Sequence, residues 1–130
     1  MARGRDQHHA RQAAIAGLGR TLTRRANSSC ELCGQRETLR VIEVPPFPEH
    51  PNEEAAILAC ESCRLQFDAK TPNPEQLRFL EASVWSETIP VQIASVLLLR
   101  RLAISDVDWA KDCLEGIWLD ENIQTRLDSI

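Results

Sequence analysis

The sequence predicts an α+β protein: a small β-containing module pinned by cysteines, then an all-helical C-terminal half. Three observations carry this expectation. Two Cys-x-x-Cys pairs, Cys30/Cys33 and Cys60/Cys63, bracket two short strand-like runs. From Pro74 onward the apolar residues recur at helical spacing, without the alternation of strands. The chain has 130 residues, which suits one domain or a small module joined to a helical one. The expected boundaries are residues 1–25 for a basic arm and helix, 26–70 for the cysteine module and 71–130 for the helical module.

Taken in order, residues 1–9 are polar and Arg-rich and are expected to be disordered. Between Ala10 and Arg25, Ala14, Ile15, Leu18 and Leu22 recur at helical spacing. Gly17 and Gly19 weaken that helix by roughly 1 kcal/mol each relative to alanine, so it needs tertiary packing. Leu39–Val44 reads as a strand stopped by Pro45, Pro46 and Pro48, and Ala55–Ala59 as the returning strand. Asn73 suits an N-cap, with Pro74 at the first helical position and Gln76 at the third. The helix after it presents Leu77, Leu80 and Val84 or Trp85. A second, starting near Pro90, is apolar over most of its surface and is expected to be central. Ser105 is read as the cap of a third helix carrying Trp109, Cys113 and Ile117, and Asp120 as the cap of a last one. Trp85, Trp109 and Trp118 are expected in the core, and Cys113 is read as an inert thiol.

The cysteines carry the chemistry. A Cys-x-x-Cys turn aims both sulfurs at one point, and two such turns complete a tetrahedron with metal–sulfur bonds of about 2.3 Å. Cys30, Cys33, Cys60 and Cys63 are therefore the expected ligands of one structural Zn²⁺. Gly34 supplies the freedom that a backbone curling around a metal needs. The 26 residues between Cys33 and Cys60 exceed the commonest spacing but leave room for a hairpin. The hairpin gives a zinc ribbon; a helix beginning at Cys63 would make the arrangement treble-clef-like. Four thiolates leave no open position for water, so the site is expected to be structural and the protein non-enzymatic. Arg24, Arg25, Arg36 and Arg64 are candidates to neutralise the anionic cluster or to contact phosphate, with solvated surface arginines the plain alternative.

Charge is unevenly distributed. Residues 1–40 hold eight arginines and three acids, and residues 41–130 hold seven basic and sixteen acidic residues, for a net −4. The basic segment can meet phosphates, dock on its own acidic body or simply be solvated. No apolar run reaches the roughly 18 residues of a membrane helix, and no secretory signal is visible. Cysteines paired for metal fit a reducing cytoplasm.

Cys-Glu-Leu-Cys-Gly at 30–34, Leu-Arg-Val-Ile-Glu-Val-Pro-Pro at 39–46 and Leu-Ala-Cys-Glu-Ser-Cys at 58–63 resemble the proteobacterial PhnA-like zinc-ribbon proteins. So do Glu-Ala-Ser-Val-Trp-Ser-Glu at 81–87, Pro-Val-Gln at 90–92, Trp-Ala-Lys-Asp at 109–112 and Trp-Leu-Asp-Glu at 118–121. The resemblance covers residues 24–125 and implies a zinc protein associated with alkylphosphonate-utilisation operons, without implying phosphonate chemistry. The small β-rich domain that follows in many such proteins is not seen in this sequence.

Three functions compete. The first is a non-enzymatic zinc module binding a protein or nucleic-acid partner. The second is an HNH, treble-clef nuclease, which needs a histidine on the strand between the cysteine pairs to activate water. That stretch is Val41-Ile42-Glu43-Val44, and the chain's histidines are His8, His9 and His50, so only His50, turning inward from its loop, can serve. The third, a phosphonate hydrolase, needs an open metal site or an activated nucleophile, and neither is visible. The first is preferred.

Overall fold

The computed structural model describes residues 2–130, with side chains from Gly4 onward. Two N-terminal helices, α1 (Ala2–Gly17) and α2 (Gly19–Arg25), precede a hairpin of β1 (Arg40–Glu43) and β2 (Ala56–Ala59). Helix α3 (Glu61–Asp68) starts immediately after β2. The helical half then runs through α4 (Leu80–Ser83), α5 (Ile89–Ile104), α6 (Asp108–Gly116) and α7 (Glu121–Asp128), with single 3₁₀ turns at Glu53–Ala55 and Pro74–Leu77.

The antiparallel register places Arg40 opposite Ala59, Val41 opposite Leu58, Ile42 opposite Ile57 and Glu43 opposite Ala56. All four residues of β2 are buried, because the strand is covered on both faces. Successive side chains of a strand point to opposite sides. Ile57 and Ala59 join the main core with α5, whereas Ala56 and Leu58 pack against Leu22 of α2. The two-stranded sheet is thus the middle of three layers. The Ala-Ile-Leu-Ala run needs no polar alternation, and small alanines let helix and strand approach closely.

Helix α5 is the centre of the molecule. Pro90 sits in its first turn, ten of its sixteen residues are buried and it packs against α4, α6, α7 and β2. Its buried polar residues are all bonded. Ser95 Oγ donates to the Val91 carbonyl at 2.8 Å and meets Ser83 Oγ at 2.7 Å, and Gln92 Nε2 donates to the Val84 carbonyl at 2.8 Å. These bonds fasten the single turn of α4, too short to hold itself, to α5. The main buried cluster runs without interruption from Cys30 to Leu127.

Several expectations are corrected. Residues 2–9 are part of α1 rather than disordered (Met1 lies outside the described residues). The helix is held by docking: Arg11 makes two bonds to Glu43, at 2.9 and 2.6 Å, and donates to the Pro48 and Glu49 carbonyls. The helix expected over residues 10–25 is two helices, broken at Leu18 between its glycines. Trp85 and Trp118 are exposed, at 57% and 76%. The stripe through Ala110 and Leu114 stops short of Trp118 because α6 ends at Gly116. Trp109 is half-buried, with the Arg78 guanidinium 4.8 Å from the centre of its ring.

Ser105 closes α5 rather than capping α6, whose N-cap position is Val107. Asp106 takes a positive φ of 63° and pairs with Lys111. Asn73 and Asp120 do cap, accepting bonds from the Glu75 and Ile123 amides. Gln76 does not complete a capping box: its Oε1 accepts from Gln66 Nε2, while Gln66 Oε1 accepts from the Asn73 amide. A side chain of α3 thereby does locally what the sequence assigned to the next turn. Among the described residues no helix is long and apolar enough to cross a membrane.

Candidate metal centre

The first cysteine pair sits in a tight turn entered from α2. Asn27 and Ser28 take left-handed conformations, φ 55° and 58°, that swing the chain off the helix. Cys30 donates its amide to the Gln35 carbonyl at 2.7 Å, and Gly34 closes the turn onto the Cys30 carbonyl at 2.9 Å. The Cys33 amide points at Cys30 Sγ, 3.5 Å away. Gly34 has φ 85°, and an added Cβ would meet nothing within 4 Å, so the requirement for glycine is conformational.

The second pair is presented differently. Cys60 is the N-cap residue of α3 and Cys63 lies in its first turn. Unpaired amides and the positive end of the helix dipole favour negative sulfur there. A turn, a hairpin and a helix N-terminus thus converge on one point.

The structure brings all four predicted residues together: the Cys30, Cys33, Cys60 and Cys63 sulfurs lie within 4.8 Å of one another. The Cys30–Cys63 and Cys33–Cys60 separations are 3.7 and 3.5 Å. A disulfide needs about 2.05 Å, and all five cysteines are free thiols. A tetrahedron with metal–sulfur bonds of about 2.3 Å has edges of about 3.8 Å. The donor set therefore fits a metal ion in size and chemistry. Cys30, Cys60 and Cys63 are buried, and Cys33 is partly exposed.

Without a cation the four sulfurs cannot all ionise. Contact with the Cys63 thiol, helped by backbone amides, lowers Cys30 to about 4. The same contact, then burial and the neighbouring sulfurs, pushes Cys63 far up. Burial raises Cys33 to about 11. One thiolate suppresses its neighbours, and a bound dication removes that repulsion.

Comparison with known protein families, curated proteins and solved structures finds no match.

The four candidate arginines divide into two kinds. Arg25 holds the Glu31 carboxylate with two bonds of 2.8 Å and also donates to the Glu53 and Ala56 carbonyls. Arg64 donates to the Thr38 and Ala59 carbonyls at 2.8 and 2.7 Å, clamping the approach to β1 onto the end of β2. Both brace backbone around the cysteines rather than touching sulfur. Arg24 and Arg36 are exposed.

Glu31 was missed in the sequence, where it reads as filler between two ligands. Its carboxylate accepts from the Leu58 amide at 2.9 Å, and its own amide donates to the Leu58 carbonyl at 2.8 Å, tying the turn to β2. The available signal was a single acid between two cysteines, six residues after an arginine.

His50 does not turn inward: it is exposed and lines a groove with Gln7, Arg11 and Glu49 beside α1. The depression beside Cys33 and Cys63 is lined by Gln35, Ser62, Gln76 and Phe79. Cys113 is half-buried, and burial raises its thiol pKa, consistent with an unreactive side chain.

Proposed function

We propose that Cys30, Cys33, Cys60 and Cys63 hold one structural Zn²⁺ and that the protein is a non-enzymatic interaction module built around it. The observation carrying this reading is the gathering of four sulfurs within 4.8 Å of one another, two of their separations, 3.5 and 3.7 Å, lying close to the edge of about 3.8 Å expected around one metal ion. Zinc is the metal most at home in a closed site of four thiolates. When bound, it supplies folding energy and neutralises sulfur charge. All four positions are filled by protein, which leaves none for an activated water.

A turn, a hairpin and a helix whose first turn brings the last ligands is a treble-clef-like arrangement, and we favour it over a ribbon because Cys63 lies inside α3. The nuclease alternative loses support from the exposed position of His50. The PhnA-like resemblance supports a zinc-binding role; a link to phosphonate metabolism rests on it alone. A protein or nucleic-acid partner in the cytoplasm completes the reading.

Metal analysis of protein purified without added metal tests it, with one zinc per chain expected. Cys60→Ser is expected to lose the metal and the cooperative unfolding transition, since metal binding and folding are coupled in such sites. A metal-free protein that unfolds as cooperatively as the zinc-treated one would refute the proposal. Plasmid cleavage with magnesium or manganese, lost in His50→Ala, would restore the nuclease.

A further inference from the structure

We propose that the arginine-rimmed groove between α1–α2 and the β1–β2 hairpin binds nucleic acid through its phosphodiester backbone. This deepens the interaction reading above by naming the surface and the partner; it does not depend on the identity of the metal.

Two arginines of the basic segment are already engaged. Of the eight in residues 1–40, Arg11 and Arg25 are held by Glu43 and Glu31. Arg5, Arg20, Arg24, Arg36 and Arg40 are exposed, and none takes part in an ion pair among the described residues. The same bridges remove Glu31 as a local counter-charge, leaving Asp6 and Glu37 as the acids of the segment.

The fold then gathers these charges. A groove of about 350 Å³ has Ile15, Leu39, Val41 and Leu58 among its lining, with Gln12, Thr23 and Arg40 also on its walls. Arg20 and Arg24 are one turn apart on the side of α2 turned away from buried Leu22, each next in sequence to a residue that lines the groove, Gly19 and Thr23. Arg5 precedes Gln12 by two turns on the same face of α1 and extends the row. Arg11 bound to Glu43 and to two loop carbonyls fixes α1 against the hairpin, so the row is presented by a held helix.

The chemistry selects the partner. The segment holds arginine and no lysine, and the planar guanidinium grips phosphate oxygens with paired hydrogen bonds. Gln12 and Thr23 add neutral donors of the kind that contact phosphates. A protein interface needs an aromatic or aliphatic anchor, and a membrane surface needs an inserted apolar side chain. This face offers no protruding anchor: none of the exposed large hydrophobics, Phe47, Leu65, Trp85, Ile104, Trp118 and Ile130, lines the groove, and its own Ile15, Leu39, Val41 and Leu58 are buried or half-buried in its lining. The acidic remainder of the chain, sixteen acids against seven bases, repels a polyanion elsewhere and orients it to this pole.

The test is fluorescence anisotropy of the full-length protein with a labelled DNA duplex and an RNA strand, each of about 20 nucleotides per strand, at 50 and 200 mM salt. Vesicles of phosphatidylcholine and phosphatidylserine form a parallel arm. Four phosphate contacts, from Arg5, Arg20, Arg24 and Arg40, predict that duplex affinity falls roughly 100-fold between those salt concentrations. The triple variant Arg20→Ala, Arg24→Ala, Arg40→Ala is expected to bind at least roughly 30-fold more weakly at the lower salt, and its salt dependence to shrink to a few-fold. Arg100→Ala, on α5, is expected to bind like the parent.

Binding to DNA, RNA or both with this pattern supports the proposal and distinguishes the two sources of phosphate. No salt-sensitive binding to either, binding to vesicles alone, or a triple variant that binds as tightly as the parent overturns it. Metal content measured on the same samples separates the two readings. Zinc-loaded protein that ignores nucleic acid sinks this proposal alone, and zinc-free protein that binds it sinks the metal reading alone.

Discussion

Removing the Glu31 carboxylate is predicted to destabilise the protein by about 3 kcal/mol without taking away a metal ligand. Glu31 is 5% exposed and receives two bonds from Arg25 and one from the Leu58 amide. Breaking a buried ion pair by deleting one partner costs about 3–5 kcal/mol. The lower end applies because Arg25 is 23% exposed and keeps its bonds to the Glu53 and Ala56 carbonyls. Glu31→Gln keeps an acceptor for Leu58 and loses only the charge, so about 1–1.5 kcal/mol is expected. Arg25→Ala strands the more deeply buried charge and should cost about 3–4 kcal/mol. The double variant Arg25→Ala, Glu31→Ala should fall short of the sum by about 1–2 kcal/mol, since each single change already forfeits the shared contact. The assay is urea unfolding at fixed excess zinc, with zinc content measured for each variant. Glu31→Ala within about 0.5 kcal/mol of the parent, or single costs that simply add, would refute the clamp. Arg25→Ala that weakens zinc binding while leaving stability unchanged would restore the sequence expectation that this arginine serves the metal.

Four further outcomes are expected. Leu99→Ala, at a fully buried position of α5, should cost about 2–5 kcal/mol in thermal or urea unfolding. Asp120→Ala removes the cap bond to the Ile123 amide, 2.9 Å long, and should cost about 1 kcal/mol. Trp118→Ser, at an exposed aromatic, should change stability by less than about 0.5 kcal/mol; a large loss would show the ring to be covered. Zinc affinity should fall as pH falls. Cys33 and Cys63 have raised thiol pKa values in the metal-free protein, so both are protonated near neutrality and release protons when they bind metal. At least these two protons are released, corresponding to a loss of at least roughly 100-fold in affinity per pH unit below neutrality, measurable by competition with a chromophoric chelator between pH 6 and 8; a flat profile would contradict four-thiolate ligation.

Some of this was legible in the residues. Each cysteine pair was, because the spacing inside a Cys-x-x-Cys turn is local geometry that no distant contact needs to set, and the four sulfurs do gather within 4.8 Å of one another. The hairpin could be read from β-branched residues ending at prolines, α5 from its continuous apolar surface, and the Asn73 and Asp120 caps from side chains that bond an amide two or three residues on. Each of these depends on atoms close together in the chain.

Tertiary structure decided the rest. Residues 2–9 are helical in a chain whose α1 is docked by Arg11 on Glu43, a contact across 32 positions that composition cannot reveal. Trp85 and Trp118 face solvent because helices end just before or at them, and helix ends are where local signals are weakest. Glu31 and Arg25 became a clamp only when β2 arrived beside the first cysteine turn. The sequence by itself determined how each Cys-x-x-Cys turn pairs its two sulfurs, since that is fixed by short-range covalent geometry, whereas the β1–β2 hairpin brought the two pairs together across 27 positions. Which charges are consumed internally and which are left facing outward was decided only when the chain folded, because ion pairing depends on separation in space and not on order along the backbone.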